Sequence, residues 1–313
     1  MKNDLRALKM KQGRDALLFF PPQVAIEVKA LACQLPSEFD KPLSRFTTRE
    51  LAQLVIKRGI TASISGMTVW RWLNEDAIKP WQYRSWIFPR DPNFQEKAGV
   101  VLDLYHRIWN GWALGKNEYV ISADEKTSIQ ARRRIHPTTP PKPGQTMKTE
   151  FEYERLGALA YIAAWDVHRA KIFGRCEKTT GIDPFNALVE QVMHEEPYKS
   201  AKRVFWIIDN GSSHRGEACV RRLTKRWPTI VPVHLPVHAS WLNQVEIYFS
   251  VIQRKVLTPN DFQFINALEQ RLMNFQIYYE NIAKPFQWKF TRANMDDILD
   301  KLQPWADAIR KCA

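Results

Sequence analysis

Three carboxylates in this sequence of 313 residues stand where an open α/β sheet places its functional groups, at strand ends and at the start of a following helix. Asp124 closes the β-prone run Val-Ile-Ser-Ala. Asp209 closes the apolar run Arg-Val-Phe-Trp-Ile-Ile and is followed by Asn210, Gly211, Ser212 and His214 in a turn. Glu246 falls early in a helix whose buried stripe is Val245, Phe249, Ile252 and Val256; it lies off that stripe and can face the other two. Hard divalent cations take oxygen ligands from a few carboxylates and complete their shell with water and substrate phosphate. Two such ions about 4 Å apart can activate an attacking hydroxyl and stabilise a departing oxygen in an in-line phosphoryl transfer. Each acid alone has an ordinary reading, since Asp forms turns and Glu in a first turn serves the helix dipole. Joined with Asp-Asn-Gly-Ser-Ser-His, they point to metal-dependent chemistry with Asp124, Asp209 and Glu246 as the ligands.

The elements that must position these residues follow from periodicity. The runs 119–123, 156–166, 171–175, 203–208 and 229–235 are apolar or β-prone, and the segments 184–195, 214–226 and 242–257 are helical. Strands followed by alternating helices and strands imply an α/β layer fold with a mixed sheet. Between the first two strands Arg132, Arg133 and Arg134 lead into the segment 136–145, which holds four prolines and one glycine and is too proline-rich for a sheet. On strand alternation Glu125 points away from Asp124, and Asp166 ends the second strand as a minor additional candidate.

The first part of the chain reads as all-α. Apolar Val24, Val28, Leu31 and Ala32 predict a short helix that Pro36 stops. A second helix starts at a Thr47/Thr48 cap with Glu50 in its first turn, and Gly59 follows its end. A third runs from Ser65 through Asn74, with Val69, Trp72 and Leu73 inward and Met67, Thr68, Trp70, Arg71 and Asn74 available to a partner. Two short helices joined by a tight linker fit a helix-turn-helix whose second helix enters a DNA major groove, although plain three-helix packing gives the same pattern. The basic, aromatic-rich segment 79–84, ending in Arg84, suits phosphate contacts. Apolar spacing over 94–114 predicts one long connecting helix. The expected organisation is therefore a helix-turn-helix region over 1–92, a linker helix over 93–115 and a catalytic domain over 116–313.

Charge supports a polyanionic partner: 46 Lys+Arg against 33 Asp+Glu leave a formal charge of +13. The longest apolar run, 156–165, is ten residues, about half of what a membrane-spanning helix needs. No secretory leader is evident, so a cytoplasmic, DNA-associated protein is expected. Cys33, Cys176, Cys219 and Cys312 are scattered and read as buried thiols rather than a zinc cluster or disulfide framework. His234 and His238 lie four apart, but Pro236 between them breaks any helix that would align them.

The segments Ala-Asp-Glu-Lys-Thr-Ser-Ile-Gln (123–130), Ile-Asp-Asn-Gly-Ser-Ser-His (208–214) and His-Ala-Ser-Trp-Leu-Asn-Gln-Val-Glu (238–246) resemble the three signature blocks of the IS630-family transposases, within the Tc1/mariner group. The segment Pro-Phe-Gln-Trp-Lys-Phe-Thr (285–291) resembles their C-terminal block, and 36 residues separate Asp209 from Glu246. The resemblance implies a ribonuclease-H-like catalytic domain with a DDE triad at Asp124, Asp209 and Glu246, two Mg²⁺ or Mn²⁺ ions, double-stranded DNA of transposon ends and target as partners, a homodimer on DNA, a bacterial source, and insertion at TA dinucleotides. Many relatives carry a further helix-turn-helix ahead of the one read here. Asn210 and His214 are candidates for orienting the metal shell or the scissile phosphate. His238 and Asn243 divide between a helix-start hydrogen bond and a substrate contact, and Trp241 reads as packing. Arg132, Arg133 and Arg134 are expected to contact DNA or a partner subunit. The alternative from another class is a non-catalytic, transposase-derived DNA-binding regulator; the presence of all three carboxylates speaks against it.

Overall fold

The computed structural model describes residues 20–83, 89–211 and 216–312. The chain divides into two compact units that meet between residues 87 and 88.

In the first unit the capping signals place the helices. α1 (Pro22–Ala32) opens on a proline, whose missing N–H costs nothing at a helix start. α2 (Thr48–Lys57) opens on a capping box in which Thr47 accepts from the Glu50 amide and Glu50 reaches back to the Thr47 amide. α3 (Gly66–Glu75) is capped by Ser65, which accepts from the Thr68 amide at 3.1 Å. Val28, Phe46, Leu51, Val55, Val69 and Leu73 close a small core between the three helices. Cys33 is exposed, not buried, because it caps the end of α1 beyond the last inward turn.

The second unit opens with α4 (Phe94–Tyr105), whose Ala98, Val101, Leu102 and Leu104 are part of the main core. The single helix expected over 94–114 ends at Tyr105. Asn110 and Gly111 then take φ of +50° and +81°, the two-residue turn that suits a hairpin. It joins β1 (Ile108–Trp109) to β2 (Trp112–Ala113).

Then come β3 (Glu118–Arg133), β4 (Glu154–Asp166), β5 (Ile172–Glu177), α5 (Ile182–Met193), β6 (Arg203–Ile208), α6 (Gly216–Arg226), β7 (Ile230–His234), α7 (Val245–Lys255), α8 (Ile265–Glu280) and α9 (Arg292–Cys312). The sheet order is β5-β4-β3-β6-β7; β4 is antiparallel to both neighbours, and β3, β6 and β7 are mutually parallel. This is the mixed sheet of the ribonuclease-H-like fold. α5 and α6 cover one face, where Ile121, Ala123, Ile162, Trp206 and Ile208 are buried. α4, α7 and α8 cover the other, over Val120, Tyr161, Trp165, Phe205 and Ile207. The segment between α8 and α9 packs aromatics onto this second face: Phe286 stacks on Trp165 at 4.6 Å and Trp288 lies 5.2 Å from Tyr105. No helix among the described residues is long and apolar enough to cross a membrane.

Candidate functional site

Strand register brings the two aspartates together. Ser122 of β3 pairs with Ile207 of β6 in parallel, so two residues further on Asp124, still within β3, stands beside Asp209, the first residue past the end of β6. Strand alternation settles their face. Asp124 shares the side of Val120, and Asp209 that of Phe205 and Ile207, all belonging to the core under α7. Glu246 enters from that helix.

A hydrogen-bond network anchors the start of α7 to β3. The buried Asn243 amide donates to the Ala123 carbonyl at 3.0 Å and to Asp124 Oδ2 at 3.1 Å. Ser122 donates its hydroxyl to Asn243 Oδ1 and accepts from the Val245 amide at 2.9 Å. The Tyr105 hydroxyl of α4 donates to the Leu242 carbonyl at 2.6 Å and accepts from the Gln244 amide. Asp124 is thus held by a residue two positions ahead of the helix that bears Glu246.

The electrostatics run against all three acids being charged together. Asp124 is 9% exposed. Burial first, then the negative charges of Asp209 and Glu246, push its carboxyl up to about 7, against the opposing pull of the Glu125 amide and Asn243. Burial also raises Glu246, with Lys126 opposing and Asp209 adding to the rise. A buried carboxylate beside two others is costly unless a proton or cation compensates. Among the described residues no three His, Cys, Asp or Glu side chains are gathered closely enough to hold a metal ion as they stand. The three acids act on one another through space without closing on one point. Their donor chemistry nevertheless fits a hard divalent cation: carboxylate oxygens on one face, one of them largely desolvated.

Other candidates separate from this centre. Asn210 donates its amide to the Leu235 carbonyl at 2.7 Å and so ties the Asp209 turn to the end of β7. His238 is exposed with φ of +61° in the turn before the single helical turn Ser240–Leu242. Trp241 packs edge-on against Phe290. Asp166 lies at the opposite end of the sheet, level with Ile121, and alternation puts it on the other face. Of the basic trio, Arg133 pairs with Glu154, Arg134 donates to the carbonyls of Asn260, Phe151 and Glu152, and Arg132 lies over the Tyr153 ring. In the first unit Met67, Trp70, Arg71 and Asn74 share the exposed side of α3, and Thr68 is half-buried beside its cap. Arg84 and His214 lie outside the described residues.

Sequence reasoning passed over Ser122, Tyr105 and Lys126. Ser122 shares the parity of Asp124, which was a usable signal. The contacts of Tyr105 and Lys126 depend on tertiary packing alone.

Residues 119–269, within the second unit, match the family model described as DDE superfamily endonuclease. Among solved structures, that of the Mos1 mariner paired end complex with Mn aligns with a TM-score of 0.53 at 17% identity, over 87% of this chain and 79% of that one. The Mos1 transposase paired-end complex with left transposon end gives 0.49 at 15% identity, over 82% and 72%. The catalytic domain of Mos1 mariner transposase gives 0.43 at 14% identity, over 63% and 85%. At such identity the first of these is a likeness of fold. No curated protein matches the sequence.

Proposed function

We propose that this chain, with its DDE superfamily endonuclease domain, is a DNA transposase of the IS630 kind. It binds the inverted-repeat ends of its element as a homodimer, cleaves the DNA there and joins the freed 3′ ends to target DNA at TA dinucleotides. The observation that carries the proposal is the electrostatic coupling of three acids on the sheet face under α7: Asp124 is raised to about 7 by burial and by the charges of Asp209 and Glu246. The two donors that Asp124 receives, the Glu125 amide and Asn243, are outweighed by burial and the two further acids.

Asp124, Asp209 and Glu246 would hold two Mg²⁺ or Mn²⁺ ions, which when bound supply Lewis-acid polarisation of the phosphate and lower the pKa of an attacking hydroxyl. The rest is placement by the chain. Asn243 fixes both the Asp124 carboxylate and the start of α7, Asn210 fixes the turn that carries Asp209, and Lys126 favours the charged form of Glu246. In the first step a water attacks a phosphodiester and the departing oxygen becomes a 3′-hydroxyl. In the second that hydroxyl attacks a target phosphate, and a 3′ oxygen of the target departs. α2 and α3 serve as a helix-turn-helix, with Met67, Thr68, Trp70, Arg71 and Asn74 toward the end DNA. Arg84 and the run Arg132, Arg133 and Arg134 add phosphate contacts.

The test is nicking and end cleavage of a supercoiled plasmid carrying the inverted repeats that flank the gene. Wild type cuts in Mg²⁺ and not in EDTA; Glu246→Gln, nearly isosteric and a comparable helix former, binds the ends without cutting. Normal Mg²⁺-dependent cutting by Glu246→Gln overturns the mechanism. Arg71→Ala lowers discrimination for end DNA over random DNA by about 1–3 kcal/mol; equal losses on both DNAs reduce Arg71 to a phosphate contact.

A further inference from the structure

Strand β3 continues past Asp124 to Arg133 and breaks step with β4 on the way. Lys126 pairs with Tyr161, and the next partner pair is Ile129 with Leu159, so Thr127 and Ser128 together oppose the single residue Ala160. Ser128 takes φ of +54°, a conformation that costs a non-glycine residue about 1–2 kcal/mol. Bulges of this kind re-aim side chains and amides beside active sites, and amides turned out of a ladder form concavities that attract anions. This bulge opens into a cavity of about 540 Å³, walled on its far side by Gln253 of α7 and the loop that follows.

The lining is one-sided in charge. Lys126, Arg132 and Arg134 contribute cations, and no Asp or Glu lines the cavity among the described residues. Arg134 is already committed to backbone carbonyls. Lys126 and Arg132 make no ion pair within 4 Å among the described residues, and the buried Nε of Arg132 has no hydrogen-bond partner. Before the bulge, alternation puts Lys126 on the same face as Asp124, where its charge acts on Glu246. Two residues of strand rise about 7 Å, so the cavity begins one short step from the carboxylates and leads away from them.

We infer that this cleft carries the backbone of one DNA strand beside the reacting phosphate, in single-stranded form. Lys126 meets the neighbouring phosphate, the Thr127–Ser128 bulge presents polar groups to it, and Arg132 meets a phosphate further along. A cavity of about 540 Å³ has room for the backbone of one strand and not for the two paired strands of a duplex. The cleft thereby sets which way the cut strand runs past Asp124. This inference rests on the proposed reading of the three carboxylates as the reacting centre.

The test uses the full chain in EDTA and a fluorescein-labelled oligothymidine of about 12 nucleotides, within the range of single-strand binding sites. Affinity is read by anisotropy over a salt series. Lys126→Gln lowers affinity about tenfold and flattens the slope of log K against log salt by about 0.7, the loss of one single-strand phosphate contact. Gln253→Glu, an exposed helix position that tolerates the change, lowers affinity by a similar factor and serves if Lys126→Gln fails to fold. Lys225→Gln on α6, in the other layer, gives the background and shifts affinity less than about twofold. Unchanged affinity and slope in both cleft variants, or no binding by wild type, overturns the inference. The same proteins are scored for Mg²⁺-dependent plasmid nicking beside Glu246→Gln. Normal nicking by Glu246→Gln refutes the catalytic reading whatever the cleft variants do, and loss of nicking there with intact oligonucleotide binding in the cleft variants refutes the cleft alone.

Discussion

Asp124 and Asp166 stand on the same antiparallel pair of strands and are both nearly out of water, at 9% and 0% exposure, yet the fold treats them in opposite ways. Asp166 Oδ1 accepts from the amides of His168 and Arg169, each at 3.0 Å, and Oδ2 accepts from the Tyr198 hydroxyl at 2.7 Å. Glu118, at the same end of the sheet, meets the upward push of burial with the Gly115 amide and the Arg203 guanidinium, which bring it below the usual carboxylate range. Asp124 receives one amide and one side-chain donor, and in addition two acidic neighbours. Burying an acid is tolerable when donors replace water. At one end the turns flanking the strands, with Tyr198 and Arg203, supply those donors and the acids hold turns together; at the other the donors are outweighed by burial and by neighbouring acids, an arrangement that suits a cation.

The largest effect that tests this division is on chemistry. Asp124→Asn should lower Mg²⁺-dependent strand cleavage by at least about 10³-fold, upward of 4 kcal/mol of barrier, while Glu118→Gln leaves the rate of the folded protein unchanged. Equal loss in both would mean that the two ends do not divide their labour. Stability should respond in the reverse sense. Asp166→Ala strands two part-buried amides and a buried phenol, so it should cost about 2–4 kcal/mol in urea unfolding. Asp166→Ala that unfolds like wild type but fails to cleave would place Asp166 with the reacting groups.

The division between the two ends was only partly legible in the sequence. The strands 203–208 and 229–235 announce themselves as apolar runs, and the capping residues Thr47, Glu50 and Ser65 announce α2 and α3, because these signals are local. Asp124 and Asp209 could be suspected at strand ends, but their adjacency is a property of the β3–β6 register, which no local pattern encodes. The outer half of β3 escaped notice because Glu125 to Gln130 is polar and bulged, and a half-exposed strand of that kind reads as a loop. Ile108 and Trp112 continued the helical spacing of α4, and this masked the Asn110–Gly111 turn that reverses the chain. α8 and α9 went unread: α8 carries its apolar residues on several sides, and Leu268 and Leu272 find their partners only on the finished sheet. The roles of Ser122 and Tyr105 were hidden for the same reason, since a serine and a tyrosine become anchors only once α7 is laid across β3.

The subtlest expected effect is on stability alone, in the absence of metal. Asp124 sits near 7 in the folded chain, raised by burial and then by Asp209 and Glu246 above an ordinary value of 3.8. Between those two values the folded state binds more protons than the unfolded one. The contribution of this group to stability is therefore fully present below about pH 4 and is lost as pH rises through 7. Asp124→Asn removes the titrating charge, keeps an oxygen for the Glu125 amide, and sets an amide against the Asn243 amide, which gives up one hydrogen bond of about 1 kcal/mol. The net expectation in EDTA at about pH 8 is a variant more stable than wild type by roughly 1–2 kcal/mol, with the advantage gone by about pH 5, where wild type carries the proton itself. Thermal melts at the two pH values measure the difference. Adding Mn²⁺ at the higher pH should raise the melting temperature of wild type and leave Asp124→Asn nearly where it was, because only the intact acid cluster gains from binding a cation. A wild-type melting temperature that does not respond to Mn²⁺, together with a variant advantage that is the same at both pH values, would show that Asp124 is no more burdened than Asp166, and the contrast between the two ends of the sheet would fall.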